Sequence, residues 1–147
     1  MATDAKTGQP IFGRYHTGLR NVGSYQVSGW PYITGSVVAD DTEVKIPFPT
    51  VTKSVTVIAS GSFSSSEMYV YFAPIAGTAN IFTKGHKVAL KSEGDSVTLN
   101  VKCSSIYLTG LGANAGATVI AELTNIPTAS MPTLTGPGID SDGTQIS

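Results

Sequence analysis

The chain has 147 residues and a formal net charge of −1, with 9 Lys+Arg against 10 Asp+Glu, so its length fits one domain with a sizeable core. Charged residues make up only 13% of it, about half the usual share, and Thr (18), Ser (16) and Gly (16) fill 50 positions instead. So little clustered Lys and Arg argues against a nucleic-acid or membrane-surface binder, and the wealth of β-branched and small residues favours strands and turns over helices.

The first six residues, MATDAK, carry no apolar h-region, and no run approaches the roughly 20 apolar residues that span a bilayer. Cys103 is the single cysteine, which excludes intrachain disulfides and multi-cysteine zinc sites, and none of the five asparagines opens an Asn-x-Ser/Thr sequon. The expectation is a protein made without a leader that folds in a reducing compartment.

Residues 1–36 form the first zone. Glycines at 13, 18, 23, 29 and 35 recur too often for a helix and too irregularly for collagen. We expect an extended arm. Its Phe12, Arg14, Tyr15, His16, Arg20, Tyr25, Trp30 and Tyr32 are the residue types that dominate interface hot spots, and the intervening glycines let backbone approach backbone. Such an arm either threads across a neighbouring molecule, the reading we favour, or folds back on its own body as an N-terminal strand.

From 37 to 126 the hydrophobic period is two. Val44, Ile46 and Phe48 alternate with Glu43 and Lys45. Further half-buried strands follow at 53–59, 68–72, 87–91, 97–103 and 118–124, with turn clusters at 60–62, 64–67, 76–78, 93–95 and 110–116. A helix over 115–123 is disfavoured by Thr118, Val119 and Ile120. Strands with one wet face and regular turns predict an all-β chain, an antiparallel β-sandwich of jelly-roll type, with an extended N-terminal arm and a C-terminal tail. The tail, 127–147, holds three prolines and three glycines and hardly any periodicity.

Little of this sequence suggests chemistry. A hydrolytic triad needs nucleophile, base and carboxylate together, yet the only histidines, His16 and His86, lie in no nucleophile motif. We therefore assign no catalytic, cofactor or metal residue. Asp40, Asp41 and Glu43 read as a solvated turn, and Asp140-Ser-Asp142-Gly143 as an incomplete calcium loop without a closing Glu. The glycines at 110, 112 and 116 have the wrong spacing for a dinucleotide loop and suit a hairpin. Lys84, His86, Lys87, Lys91 and Lys102 would form a modest basic patch if 86–91 and 97–103 shared one outer face. Cys103 belongs to the inward register of its strand and reads as a buried, inert thiol. A competing use of aromatic side chains is a sugar-stacking platform, for which Trp30, Tyr32, Tyr69 and Tyr71 are the candidates.

The arm sequence TGLRNVGSYQVSGWPYITGS (17–36), and the C-terminal stretches AELTNIP (121–127) and LTGPGID (134–140), resemble small virion structural proteins of tailed bacteriophages, particularly marine and cyanobacterial ones. The resemblance covers both ends of the chain and implies a non-enzymatic role in the particle. Within that group it points to capsid decoration, or cement, proteins, which are β-rich and oligomerise on the major capsid protein. The implied partners are the major capsid protein and neighbouring copies, expected as a homotrimer, with no cofactor, nucleic acid or membrane. The alternatives are a receptor- or glycan-binding module, or a tail, fibre or connector subunit of the same virion.

Overall fold

Two four-stranded antiparallel sheets face each other across a single apolar layer. The structure, a computed structural model, describes residues 18, 19, 22, 29–39, 41–61, 67–74, 87–112 and 115–132. In chain order the strands are β1 (Trp30–Val38), β2 (Glu43–Pro47), β3 (Thr50–Gly61), β4 (Glu67–Tyr71), β5 (Val88–Leu90), β6 (Ser96–Leu99), β7 (Ser105–Leu111) and β8 (Ala115–Pro127), followed by a 3-10 turn at Thr128–Ser130. No helix long and apolar enough to cross a membrane occurs among the described residues.

The first sheet has the order β1-β8-β3-β6 and the second β2-β7-β4-β5. The first strand thus pairs with the eighth, the second with the seventh, the third with the sixth and the fourth with the fifth. This is what results when one long antiparallel ribbon is rolled so that β3 also meets β8 and β4 also meets β7, the jelly-roll arrangement. The sandwich expected from the period of two is therefore the fold adopted, and 115–123 is strand throughout.

Sequence and position agree most clearly in the inner strand β3. β3 reads TVTKSVTVIASG, and its density of β-branched residues suits the pleated, half-buried environment of an inner strand. Val55, Val57 and Ala59 point inward and pair with Ala121, Val119 and Ala117 of β8. Ile46, Met68, Val70, Leu90, Ile106 and Leu108 close the core from the other sheet. Where the sheets come together at the end of β1, the inner position of β7 is Gly110. A Cβ there would lie 3.1 Å from both the Ala115 Cβ and the Val38 carbonyl oxygen, so the close approach relies on the missing side chain.

Several bounds differ from those expected. Strand 97–103 stops at Leu99, and 100–104 instead carries the chain from the first sheet to the second. Thr52, fully buried, holds that crossing: its hydroxyl donates to the Val101 carbonyl at 2.8 Å and accepts from the Cys103 N–H at 3.1 Å. The turn expected over 110–116 is shorter, because β7, an unforeseen strand, runs through Leu111 and β8 begins at Ala115. The sheet also begins earlier than the body boundary at 37 and ends later than 126, since β1 starts at Trp30 and β8 ends at Pro127.

Candidate functional site

The outer face of the first sheet is built from the outward positions of four strands. Their registers align Ile33, Ile120, Thr56 and Thr98 across the sheet, with Gly35, Thr118, Ile58 and Ser96 in the next row. Thr56 and Thr98 share a hydroxyl hydrogen bond of 2.9 Å, a cross-strand pair of the kind that stiffens sheets. Charge reaches this sheet only at Lys53 and Glu122, which neutralise each other at 3.6 Å. Towards β1 the surface turns apolar, with Ile33 and Val37 exposed by 70% and 78%; Trp30, which pairs with Leu123 and lies on the strand's other face, is exposed by 67% at its start. Isolated exposed apolar side chains are ordinary, but Ile33 and Val37 share one face of an edge strand and, with Gly35 between them, form a patch that asks for cover.

β1 inverts the usual edge-strand pattern. Its polar Thr34 and Ser36 are half-buried, while Ile33 and Val37 face water. Tyr32 is turned inward: its ring meets Phe48 edge-on at 5.4 Å and its hydroxyl donates to the Pro47 carbonyl at 3.4 Å. Of the arm side chains expected to meet a partner, Trp30 is thus presented to solvent and Tyr32 packs within the chain. Phe12, Arg14, Tyr15, His16, Arg20 and Tyr25 lie outside the described residues.

Ahead of β1, the described Leu19 and Gly29 both touch the body of the chain. The Lys102 ammonium donates to the Leu19 carbonyl at 2.8 Å. At Gly29 the backbone lies against Glu122, so that a Cβ would stand 2.6 Å from the Glu122 Cβ and 3.0 Å from its Cα. Gly29 is therefore the position at which a side chain would force the entering chain away from the sheet.

The outer face of the second sheet differs in kind. Tyr69 and Tyr71, expected to be exposed rings able to stack on sugars, are 5% and 2% exposed. They form a second, smaller cluster with Tyr107, whose ring stacks on Tyr71 at 5.9 Å, and with Leu111. β7 supplies the partners, since Tyr71 lies opposite Tyr107 and Tyr69 opposite Thr109. The Thr109 hydroxyl donates to the Tyr71 oxygen at 2.6 Å, and Tyr71 donates to the Glu43 carboxylate at 2.9 Å. Tyr69 donates to Glu67 at 2.5 Å, while the Lys87 ammonium sits 4.6 Å above the Tyr69 ring and Lys91 pairs with Glu67 at 3.6 Å. Burial, reinforced by the bond to Glu67, pushes the Tyr69 phenol up to about 12, and burial raises Tyr71 as well. The bond from Tyr69 holds Glu67 below its ordinary value. These rings are closed off by their own strands, so the sugar-stacking reading keeps only Trp30 as an exposed ring.

The remaining sequence candidates separate. The basic patch does not form, because β5 joins the second sheet and β6 the first; Lys87, Lys91 and Lys102 have the distinct contacts given above, and Lys84 and His86 lie outside the described residues. Asp41 occupies a left-handed turn position at φ 54° between β1 and β2, and Glu43 accepts from Tyr71. Among the described residues no three His, Cys, Asp or Glu side chains converge as a metal site would require. Cys103 is buried in the core as expected, its thiol raised by that burial. His16 and the 140–143 loop lie outside the described residues.

The residues that sequence reasoning missed are Ile33, Val37 and Ile120 on one outer face and Tyr107 and Thr109 on the other. The first three alternate in their strands, and their neighbours' small size was the available signal that the face is flat and uncharged. Neither a protein-family model nor a curated protein matches the chain in sequence.

Proposed function

We propose that the chain is a non-enzymatic structural subunit of a tailed-phage virion, a capsid decoration protein that binds the major capsid protein through its N-terminal segment and stabilises the shell. The observation that carries this reading is the flat, almost uncharged outer face of the first sheet, which grades into the exposed Ile33 and Val37 of β1, with Trp30 also exposed, on the strand's other face, at the point where the arm enters. A surface of Ile, Val, Thr, Ser and Gly has little charge to desolvate when another protein covers it. The arm sequence of 17–36 and its likeness to phage structural proteins support the same direction.

In this role the jelly roll is a rigid body and the arm is the attachment. Fixing the arm's root at Gly29 and at Leu19 reduces the freedom lost when the rest docks, which favours binding. Copies placed side by side on a lattice then gain by multivalency. The protein is made in the host cytoplasm and resides on the virion surface, and its scattered lysines give it no footprint for nucleic acid.

The test is a truncation. A chain lacking residues 1–28 retains Gly29 and all eight strands, and it should fold with an unchanged far-ultraviolet spectrum. Incubated with shells assembled from the major capsid protein, it should no longer sediment with them, whereas the full chain should. Undiminished co-sedimentation of the truncated chain overturns the assignment of the arm.

A further inference from the structure

We propose that β1 is a self-association edge, through which two copies of this chain join antiparallel into one continuous eight-stranded sheet, with Gly35 on the two-fold axis. The inference stands on the geometry of β1 and does not depend on the assignment to a particle.

The four sheet edges in this fold are not alike. β2 is five residues long and carries Glu43, Lys45 and Pro47; β5 is three residues long with Lys87 and Lys91 on either side; β6 is four residues long and is followed by Lys102. Shortness, lysine and proline are the devices by which folded proteins prevent sheet edges from pairing with other chains. β1 lacks them. It runs for nine residues, WPYITGSVV, has no charged side chain and bears its one proline at the second position. Among the described residues only β8 pairs with it.

The strand is also complementary to itself. In a two-fold antiparallel join centred on Gly35, residues 32–38 of the two copies pair. Ile33 then faces the partner's Val37 and Val37 faces the partner's Ile33, so the two most exposed large hydrophobic side chains of the strand cover each other twice. Thr34 lies opposite Ser36, and the glycines meet at the axis without side chains to separate them. A centre at Thr34 sets Ile33 against glycine and Val37 against Pro31. A centre at Val37 sends Ile33 against Asp41, beyond the strand. No like charges oppose each other in the Gly35 register: the paired residues 32–38 carry no charge, Lys53 and Glu122 of the same sheet form a neutral pair, and Asp41 lies beyond the paired segment.

Seven paired residues make a small interface, short of the roughly 1,200 Å² of total buried surface at which stable complexes begin, so the free protein should dimerise weakly and in a concentration-dependent way. A two-fold contact also differs from the three-fold association that the resemblance implies.

Sedimentation equilibrium of the full chain over a dilution series should fit a monomer–dimer equilibrium. Ile33→Lys and Val37→Lys should each weaken it about tenfold or more, because each removes both copies of the pair and sets lysine on the edge, while leaving spectrum and melting temperature unchanged. The register is tested by oxidation. A Cβ at Gly35 meets only the Ala117 carbonyl, at 3.9 Å, so Gly35→Cys is tolerated. Across the axis its Cα atoms would be about 4.5–5.5 Å apart, within disulfide range. Gly35→Cys should form a covalent dimer and Val37→Cys should not; native Cys103 is buried and does not interfere. A chain that is monomeric at every concentration, an oligomer indifferent to both lysines, or equal cross-linking at 35 and 37 overturns the proposal.

Discussion

Replacing Tyr71 by Phe removes one oxygen from the relay in which Thr109 donates to Tyr71 and Tyr71 donates to Glu43. Thr109 is fully buried, and the Tyr71 hydroxyl is its hydroxyl's partner among the described residues. Leaving such a group without a partner costs about 1–3 kcal/mol, whereas the bond to half-exposed Glu43 is largely replaced by water and adds about 1 kcal/mol or less. The expected loss is about 2–3 kcal/mol, or about 4–12 °C in melting temperature at about 2–4 °C per kcal/mol for a chain of this size. Thr109→Val should cost less, about 1 kcal/mol, because Tyr71 keeps its bond to the carboxylate. Combining the two removes the stranded hydroxyl, so the double variant should be about 1 kcal/mol more stable than Tyr71→Phe alone and the cycle should show a coupling of about 2 kcal/mol. Urea unfolding at neutral pH, followed by circular dichroism, measures all four corners. A loss below about 0.5 kcal/mol for Tyr71→Phe, or strict additivity, refutes the view that this relay is a satisfied buried network.

Alkaline unfolding should report the same cluster. Both Tyr69 and Tyr71 have folded-state values raised above the ordinary 10.0, Tyr69 to about 12, so their contribution is fully present below pH 10 and is lost as pH climbs through the folded values. Phenolate absorbance should show two tyrosines that ionise only with unfolding; ordinary titration of all six near pH 10 would contradict the burial. Core and edge can be told apart by alanine: Leu108→Ala should cost about 2–5 kcal/mol, while Ile33→Ala, at concentrations where the chain is monomeric, should stay within about 0.5 kcal/mol. Comparable urea midpoints for the two would contradict the assignment of faces.

How far the fold could be read beforehand depended on contrast between strand faces. β2, β3, β4, β5 and β8 have apolar inner and polar or mixed outer positions, and their alternation located all five. β7 escaped because Tyr107 and Thr109 are as buried as Ile106 and Leu108, so SIYLTGL has no wet face to set the period. Missing β7 also hid the partners of Tyr69 and Tyr71, which is why their rings read as exposed. β1 has the right period with the wrong sign, polar inward and apolar outward, so it passed for part of a glycine-jointed arm. Alternation in 97–103 continued beyond Leu99 because Val101 and Cys103 still pack on the core after the strand has ended. The uncharged outer face of the first sheet was illegible for a related reason: which outward residues become neighbours is decided by register between strands far apart in the chain.

The strand order has a kinetic consequence. β8 is the last of the eight strands to leave the ribosome, yet it lies between β1 and β3 and supplies the partner for both. Until it has been synthesised, the uncharged β1 and the β-branched β3 have no common partner, and the first sheet cannot close. Folding of such a non-local topology is slow, and the waiting strands are competent to pair with other chains. A growing chain therefore gains its native sheet at the end of synthesis, and any interruption before 115–127 leaves the most adhesive parts of the protein without the one strand that joins them.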